Sequence, residues 1–173
     1  MPSCVRYPRG EGLGVELPEK GEVLEIGRGR IVREGSALAI LSLGCRLQES
    51  LKAADELSAK GFSVTVADAR FAKPLDNAMI RDLATSHDAL ITIEEGGPGG
   101  FGAHVLQFLA ADGLLDSGLK VRSMTLPDER IKHDTQDKQY DYSCLTAPHI
   151  VELALDVLGT KTAEGSTAKP VSA

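Results

Sequence analysis

Two kinds of hydrophobic pattern alternate along the middle of this chain. Near-continuous apolar runs, each typical of a strand covered on both faces, lie at 37–43, 63–67, 89–93 and 119–124. Between the first two runs, apolar residues recur at helical spacing within 45–60, and Gly61 follows as a C-terminal cap. Alternation of this kind predicts right-handed βαβ crossovers, and therefore an α/β fold with a mostly parallel sheet.

Weaker patterns flank this alternation. The segments 24–26 and 29–32 predict short strands, or a hairpin turning at 27–29. Asp76 is a predicted N-cap for the helix that follows it, and Thr146 is a predicted cap for the last helix, which ends before Gly159. Ligands of such folds usually bind in the loops that follow the strands.

The two ends of the chain differ in character from the middle. Residues 1–20 are interrupted by Pro and Gly and are predicted to be an extended inter-domain linker. Residues 160–173 are small or polar with almost nothing to bury, which predicts a disordered tail. The folded domain is therefore expected to span 21–159.

Composition narrows the classes of partner and compartment. With 19 basic and 25 acidic residues among 173, the net charge of -6 argues against nucleic acid and anionic membranes as partners. No apolar run approaches the length that spans a bilayer, so no membrane segment is expected. Three cysteines without CxxC spacing make a disulfide framework or a structural zinc site unexpected, and favour a reducing, cytoplasmic location.

The Gly-rich loop 96–102 is the feature most suggestive of ligand binding. It follows a strand and opens a helix, so its amides could cradle a phosphate of a nucleotide. It lacks the GxGxxG order, and Glu94 and Glu95 just before it would repel an anion. A tight turn or packing loop is therefore favoured. The two glutamates point to opposite faces, which favours a solvated strand end over a single acid at a domain interface.

Other constellations are poor candidates for chemistry. The four histidines lack paired ligand spacing, so no metal site is predicted; they are His87, His104, His133 and His149. Residues 86–88 list the three residue types of a catalytic triad, but sequence neighbours cannot form the relay. No cysteine has a basic or histidine neighbour that would activate its thiol.

The segment Arg6-Tyr7-Pro8-Arg9-Gly10 is different in kind. Two guanidinium groups flank a rigid Tyr-Pro step, and guanidinium groups suit the bidentate capture of carboxylate or phosphate. From the residues alone, exposed linker arginines are the favoured interpretation.

Four motifs together resemble the 1-deoxy-D-xylulose-5-phosphate synthase family. They are Arg6–Gly10, Asp68–Asp76 (DARFAKPLD), Glu94-Glu95 followed by Gly99–Gly102, and Leu126-Pro127-Asp128. The resemblance covers about residues 4 to 159, and only the C-terminal third of that enzyme. It implies a three-layer domain with a five-stranded, mostly parallel sheet, as in transketolase C-terminal domains. Transketolases and pyruvate dehydrogenase β subunits share the fold with a looser version of these motifs.

The resemblance also implies a function. That family condenses pyruvate with glyceraldehyde 3-phosphate, releases CO2, and supplies isoprenoid, thiamine and pyridoxal synthesis. It acts as a dimer and uses thiamine diphosphate and Mg2+, which its two preceding domains bind. This chain is thus expected to bind no cofactor itself, to be inactive alone, and to work as a homodimer or with those thiamine-binding domains. Arg9 inherits a substrate-binding role near the aldehyde's phosphate; Arg6 inherits none.

This sequence departs from the family pattern in one region. The glycines that the family carries near 134 and 144 are replaced by Asp134 and Cys144, which puts the turn geometry there in question. Three alternatives stay open. The chain could be a non-catalytic dimerisation or assembly module, or the C-terminal domain of another transketolase-like or 2-oxoacid dehydrogenase β-type enzyme. It could also be a nucleotide-binding domain that uses the 96–102 loop.

Overall fold

A five-stranded sheet organises the molecule. The computed structural model describes residues 2–7, 12, 14–16 and 18–159. Its strands are Arg30–Arg33 (β1), Leu38–Ser42 (β2), Val64–Asp68 (β3), Ala89–Ile93 (β4) and Lys120–Met124 (β5). They lie in the order β1-β3-β2-β4-β5. Strands β2 to β5 are parallel, and β1 pairs with β3 in the antiparallel direction. The prediction of a mostly parallel α/β sheet is confirmed.

Helices cover both faces of this sheet, which gives the predicted three layers. They are Leu47–Ala59 (α1), Asn77–Ser86 (α2), Phe101–Ala111 (α3), Gln136–Tyr142 (α4) and Ala147–Val157 (α5). Helices α1 and α5 pack on one face, and α2 and α3 on the other. None of the helices in the described part of the chain is long and apolar enough to cross a membrane.

The apolar runs form strands because both of their faces are covered. Every residue of β2, β3 and β4 is buried. Successive side chains point to opposite faces, so Ile40 joins the core beneath α1 and α5 while Ala39 and Leu41 join the core beneath α2 and α3. Strand β5 lies at an edge and is more exposed, which fits its more polar sequence.

The predicted hairpin around 27–29 is wrong. Residues 24–26 form no strand, and β1 pairs with β3, with Arg30 opposite Asp68. Gly29 explains the path, because a β-carbon there would lie 2.8 Å from the Asp68 carbonyl oxygen and would also clash with the Met79 side chain. The chain thus packs onto the end of β3 instead of folding back on itself.

The two predicted helix caps have different outcomes. Asp76 is confirmed, since its carboxylate accepts hydrogen bonds from the amides of Met79 and Gly29, both at 3.0 Å. Thr146 stands at the N-cap position of α5, but its hydroxyl contacts His149 Nδ1 instead of a backbone amide. The carboxylate of Glu49, from α1, takes over and accepts from the Ala147 amide at 2.8 Å.

The region where the family glycines are replaced forms an ordered turn. Helix α4, which the sequence pattern did not predict, ends at Tyr142, and Cys144 then adopts a left-handed φ of 57°. The Leu145 amide bonds to the Tyr140 carbonyl and the Cys144 amide to the Asp141 carbonyl, which is the Schellman arrangement. Cysteine thus holds a conformation that glycine adopts more easily.

The chain ends were also assigned from sequence. The described parts of the predicted linker contain no helix or strand. The predicted disordered tail, 160–173, lies outside the described residues.

Candidate functional site

The candidate site lies where the connections of the sheet diverge. From β2 the chain crosses to β3 on one side, and it then returns past β2 to reach β4 on the other. The loops that follow β2 and β4 therefore lead away from each other and leave a crevice at the carboxyl edge, the usual ligand position in open parallel sheets. Cys45 and Arg46 follow β2 at this point, and Glu94 and Glu95 follow β4.

An ion pair fills this crevice. The Arg46 Nε donates to Glu95 Oε1 at 2.9 Å, and the Tyr140 ring centroid lies 3.6 Å from the guanidinium carbon. The side chains of Arg46 and Glu95 are only 10% and 15% exposed. Charge pairing, ring stacking and a 3.5 Å contact from Arg46 Nη1 to the Leu145 carbonyl offset the cost of removing both groups from water.

Burial also affects the titratable neighbours of this pair. Burial raises the pKa of the Tyr140 hydroxyl, and its hydrogen bond to Glu95 adds to the effect. Burial likewise raises the pKa of the Cys45 thiol, with the Glu95 carboxylate acting in the same direction and Arg46 opposing it. Cys45 is therefore a protonated thiol at neutral pH, unlike a catalytic nucleophile.

Glu94 occupies the Gly-rich loop from within. Its carboxylate is buried, and Oε1 accepts a hydrogen bond from the Gly102 amide at 2.8 Å, in the first turn of α3. A β-carbon at Gly100 would lie 2.6 Å from Glu94 Oε2, so the loop closes tightly around the carboxylate. The favoured expectation of a solvated strand end is wrong for this residue, because the helix N-terminus attracts the negative charge. The place where a phosphate would sit is filled.

The N-terminal segment reaches the same crevice. Arg6 Nη2 donates to the Glu95 carbonyl oxygen at 2.8 Å across 89 positions of sequence. Two of the motifs that carry the family resemblance thus meet at the end of β4. Arg9, the predicted substrate-binding residue, lies outside the described residues.

The loop after β3 is held by charged contacts of its own. Asp68 Oδ2 accepts from Arg30 Nε at 3.0 Å, and Asp68 Oδ1 accepts from the Arg70 amide at 3.1 Å. Arg70 adopts a left-handed φ of 56°, and its Nε is 4.0 Å from Asp68 Oδ2. A non-glycine residue held in this conformation beside a ligand-binding edge is typical of functional loops.

His87 is a structural residue. It caps the C-terminal end of α2, where Nδ1 contacts the Leu83 carbonyl at 3.0 Å and Nε2 contacts the Thr65 hydroxyl at 2.8 Å. This agrees with reading 86–88 as a helix end and not as a triad. Within the described ranges, no three His, Cys, Asp or Glu side chains are grouped so that they could hold a metal ion.

Sequence reasoning missed Arg46 and Tyr140. Arg46 carried one signal, since it is a charged residue directly between a fully buried strand and a helix, where a buried polar group needs a partner. Tyr140 carried none, because α4 is short and buries no residue.

Comparison with known proteins places this geometry in a family. Residues 27–150 match the family model described as "Transketolase, C-terminal domain". A solved structure titled "Split gene transketolase, inactive beta4 tetramer" superposes with a TM-score of 0.71 at 27% identity. The match covers 80% of this chain and 45% of that one, so this chain spans less than half the length of its structural neighbour. The family model covers well over half of the sequence, and the chain belongs to the transketolase C-terminal domain family.

Proposed function

We propose that this chain is the C-terminal domain of a 1-deoxy-D-xylulose-5-phosphate synthase, which condenses pyruvate with glyceraldehyde 3-phosphate and releases CO2. The observation that carries the proposal is the 2.8 Å hydrogen bond from Arg6 to the Glu95 carbonyl. It joins two of the motifs on which the resemblance rests. A third motif, 68–76, forms the loop after β3 at the same edge of the sheet.

The proposed enzyme needs thiamine diphosphate and Mg2+, and thiamine diphosphate supplies the carbanion chemistry when bound. The described residues of this chain do not fit that group. The Glu94 carboxylate fills the helix N-terminus that would attract a diphosphate, and no metal-binding cluster is found among them. The proposal therefore assigns the cofactor to preceding domains, on the same or a separate chain.

Within that proposal, this chain contributes substrate positioning. Arg9 would hold the phosphate of the aldehyde substrate, since a guanidinium group binds phosphate through paired hydrogen bonds. Arg6 is already engaged by the Glu95 carbonyl and fixes the segment to the end of β4. Anchoring of this kind orients the acceptor for carbon–carbon bond formation and takes no part in proton transfer.

Reconstitution tests the proposal. The chain is mixed with the two thiamine-binding domains of a characterised synthase from which the C-terminal domain has been deleted, and 1-deoxy-D-xylulose 5-phosphate is measured. We expect product from pyruvate and glyceraldehyde 3-phosphate with both parts present and none from this chain alone. Product formed only with a ketose or lipoyl acceptor would instead assign the chain to another transketolase-like or 2-oxoacid dehydrogenase enzyme.

Variants in the reconstituted enzyme test Arg9. Losing a charge-assisted hydrogen bond costs about 1.5–3 kcal/mol, so Arg9→Ala should raise KM for glyceraldehyde 3-phosphate about tenfold or more. The KM for pyruvate should stay unchanged. Arg81→Ala, which removes a half-exposed arginine paired with Asp112 on the α2–α3 face, is the matched control. Equal effects on both substrates would contradict an anchoring role.

A second candidate function is a non-catalytic assembly module. The structural neighbour is titled an inactive β4 tetramer. In this chain Val5 and Tyr7 are each 82% exposed and Val23 is 99% exposed, which leaves apolar surface for a partner. Light scattering should then report a homodimer or larger assembly. A strict monomer at high concentration, without binding to the thiamine domains, would contradict this function.

A further inference from the structure

The segment 128–142, here called the flap, is closed on itself and buries none of its side chains. Tyr142 donates to Glu129 Oε1 at 2.6 Å, and the Gln139 side-chain amide donates to the Lys132 carbonyl at 3.1 Å. These ties join the two ends of the segment and its middle. The flap is therefore held together by polar contacts of its own and not by a share of the apolar core.

Tyr140 fastens the flap to the body. Its ring stacks on the Arg46 guanidinium at 3.6 Å, and its hydroxyl bonds to Glu95. The surface that Tyr140 covers is the ion pair at the divergence of β2 and β4, where parallel sheets usually receive ligands. A single aromatic side chain thus stands between the most favourable ligand position of the fold and solvent.

Both ends of the flap are fixed to buried parts of the domain. On one side the Leu126 amide donates to the Gly96 carbonyl at 2.9 Å. On the other, Leu145 is fully buried, and Cys144 before it holds the left-handed φ of 57°. A segment with firm ends, internal ties and little buried surface is expected to open as one unit, at a lower free energy than global unfolding.

We propose that the flap is a lid over the divergence of β2 and β4, with Tyr140 as its latch. Opening swings α4 away about Leu126 and Cys144, and it exposes the Arg46 guanidinium and the Glu95 carboxylate to water or to an anionic group. The closed state is the one described above. This inference concerns the chain's own conformations and does not depend on the reaction proposed for it.

Hydrogen exchange on the whole chain, followed by mass spectrometry, tests the lid. In the unmodified protein, flap amides should exchange together and at least about tenfold faster than those of α5. Tyr140→Leu removes the stacking and should speed flap exchange about tenfold more, with α5 unchanged. Tyr140→Phe keeps the ring on Arg46 and should stay within about twofold of the unmodified protein.

Arginine modification tests whether opening uncovers the ion pair. Phenylglyoxal should react with Arg46 about tenfold faster in Tyr140→Leu, in proportion to the exchange rate. Arg81, paired with Asp112 away from the flap, should keep its rate. The lid is overturned if flap and α5 amides of the unmodified protein exchange at one rate, a comparison that holds even if a variant fails to fold. It is equally overturned if faster flap exchange leaves Arg46 protected.

Discussion

Replacing Glu94 tests whether a buried carboxylate holds the start of α3. Glu94→Gln keeps the shape of the side chain but removes its charge. A hydrogen bond to a charged group contributes about 1.5–3 kcal/mol, against about 0.5–1.5 for a neutral one, and the helix dipole adds up to about 1. We therefore expect the free energy of unfolding to fall by about 2 kcal/mol. Glu94→Ala also leaves the Gly102 amide unpaired and opens a cavity, so it should lose about 3–4 kcal/mol.

Urea unfolding at pH 7, followed by circular dichroism, measures both losses. Glu56→Gln, which removes an exposed carboxylate on α1, is the matched control and should change the free energy of unfolding by less than about 0.5 kcal/mol. Acetate should stabilise Glu94→Ala more than the unmodified protein, because it can return an anion to the loop. If Glu94→Gln unfolds like the control, the carboxylate does not hold this helix.

Three further results are expected. Cys144→Gly should raise the free energy of unfolding by about 0.5–1 kcal/mol, because glycine relieves the left-handed backbone; a loss on urea unfolding would contradict this. Hydrogen bonds from Lys52 and Ala147 outweigh partial burial and lower the pKa of Glu49. Its carboxylate therefore stabilises the fold above its ordinary pKa of 4.5, so Glu49→Gln should cost about 1 kcal/mol in urea at pH 7, a difference that disappears as the pH falls below that value. Because burial raises the pKa of Cys45, iodoacetamide at pH 8 should label it more slowly than exposed Cys4, and equal labelling by mass spectrometry would contradict the burial.

The parts of the fold that sequence predicted are those governed by periodic burial. Strands β2 to β5 and helices α1, α2, α3 and α5 each show a repeated apolar pattern, and each forms close to its predicted place. Strand β1 was located but given the wrong partner. Its four residues are half buried at most, so its pairing depends on the close approach of Gly29 to the end of β3, which no local pattern encodes.

The candidate site was less predictable because it is built from distant residues. Sequence placed Glu94 and Glu95 after β4 and noted that they would repel an anion, but it could not show that one carboxylate replaces that anion. The pairing of Glu95 with Arg46 spans 49 positions, and the helix that brings Tyr140 over it has no apolar face. Such contacts follow from the tertiary arrangement and become visible only there.

The two outermost strands have a consequence for how copies of this domain can associate. Strand β1 carries Arg30 and Arg33, and strand β5 carries Lys120 and Arg122. Cations along both margins repel an identical margin and discourage backbone pairing between molecules. Continuous intermolecular sheets, and the fibrils that grow from them, are thereby disfavoured. Any quaternary structure must then be built through helices and loops.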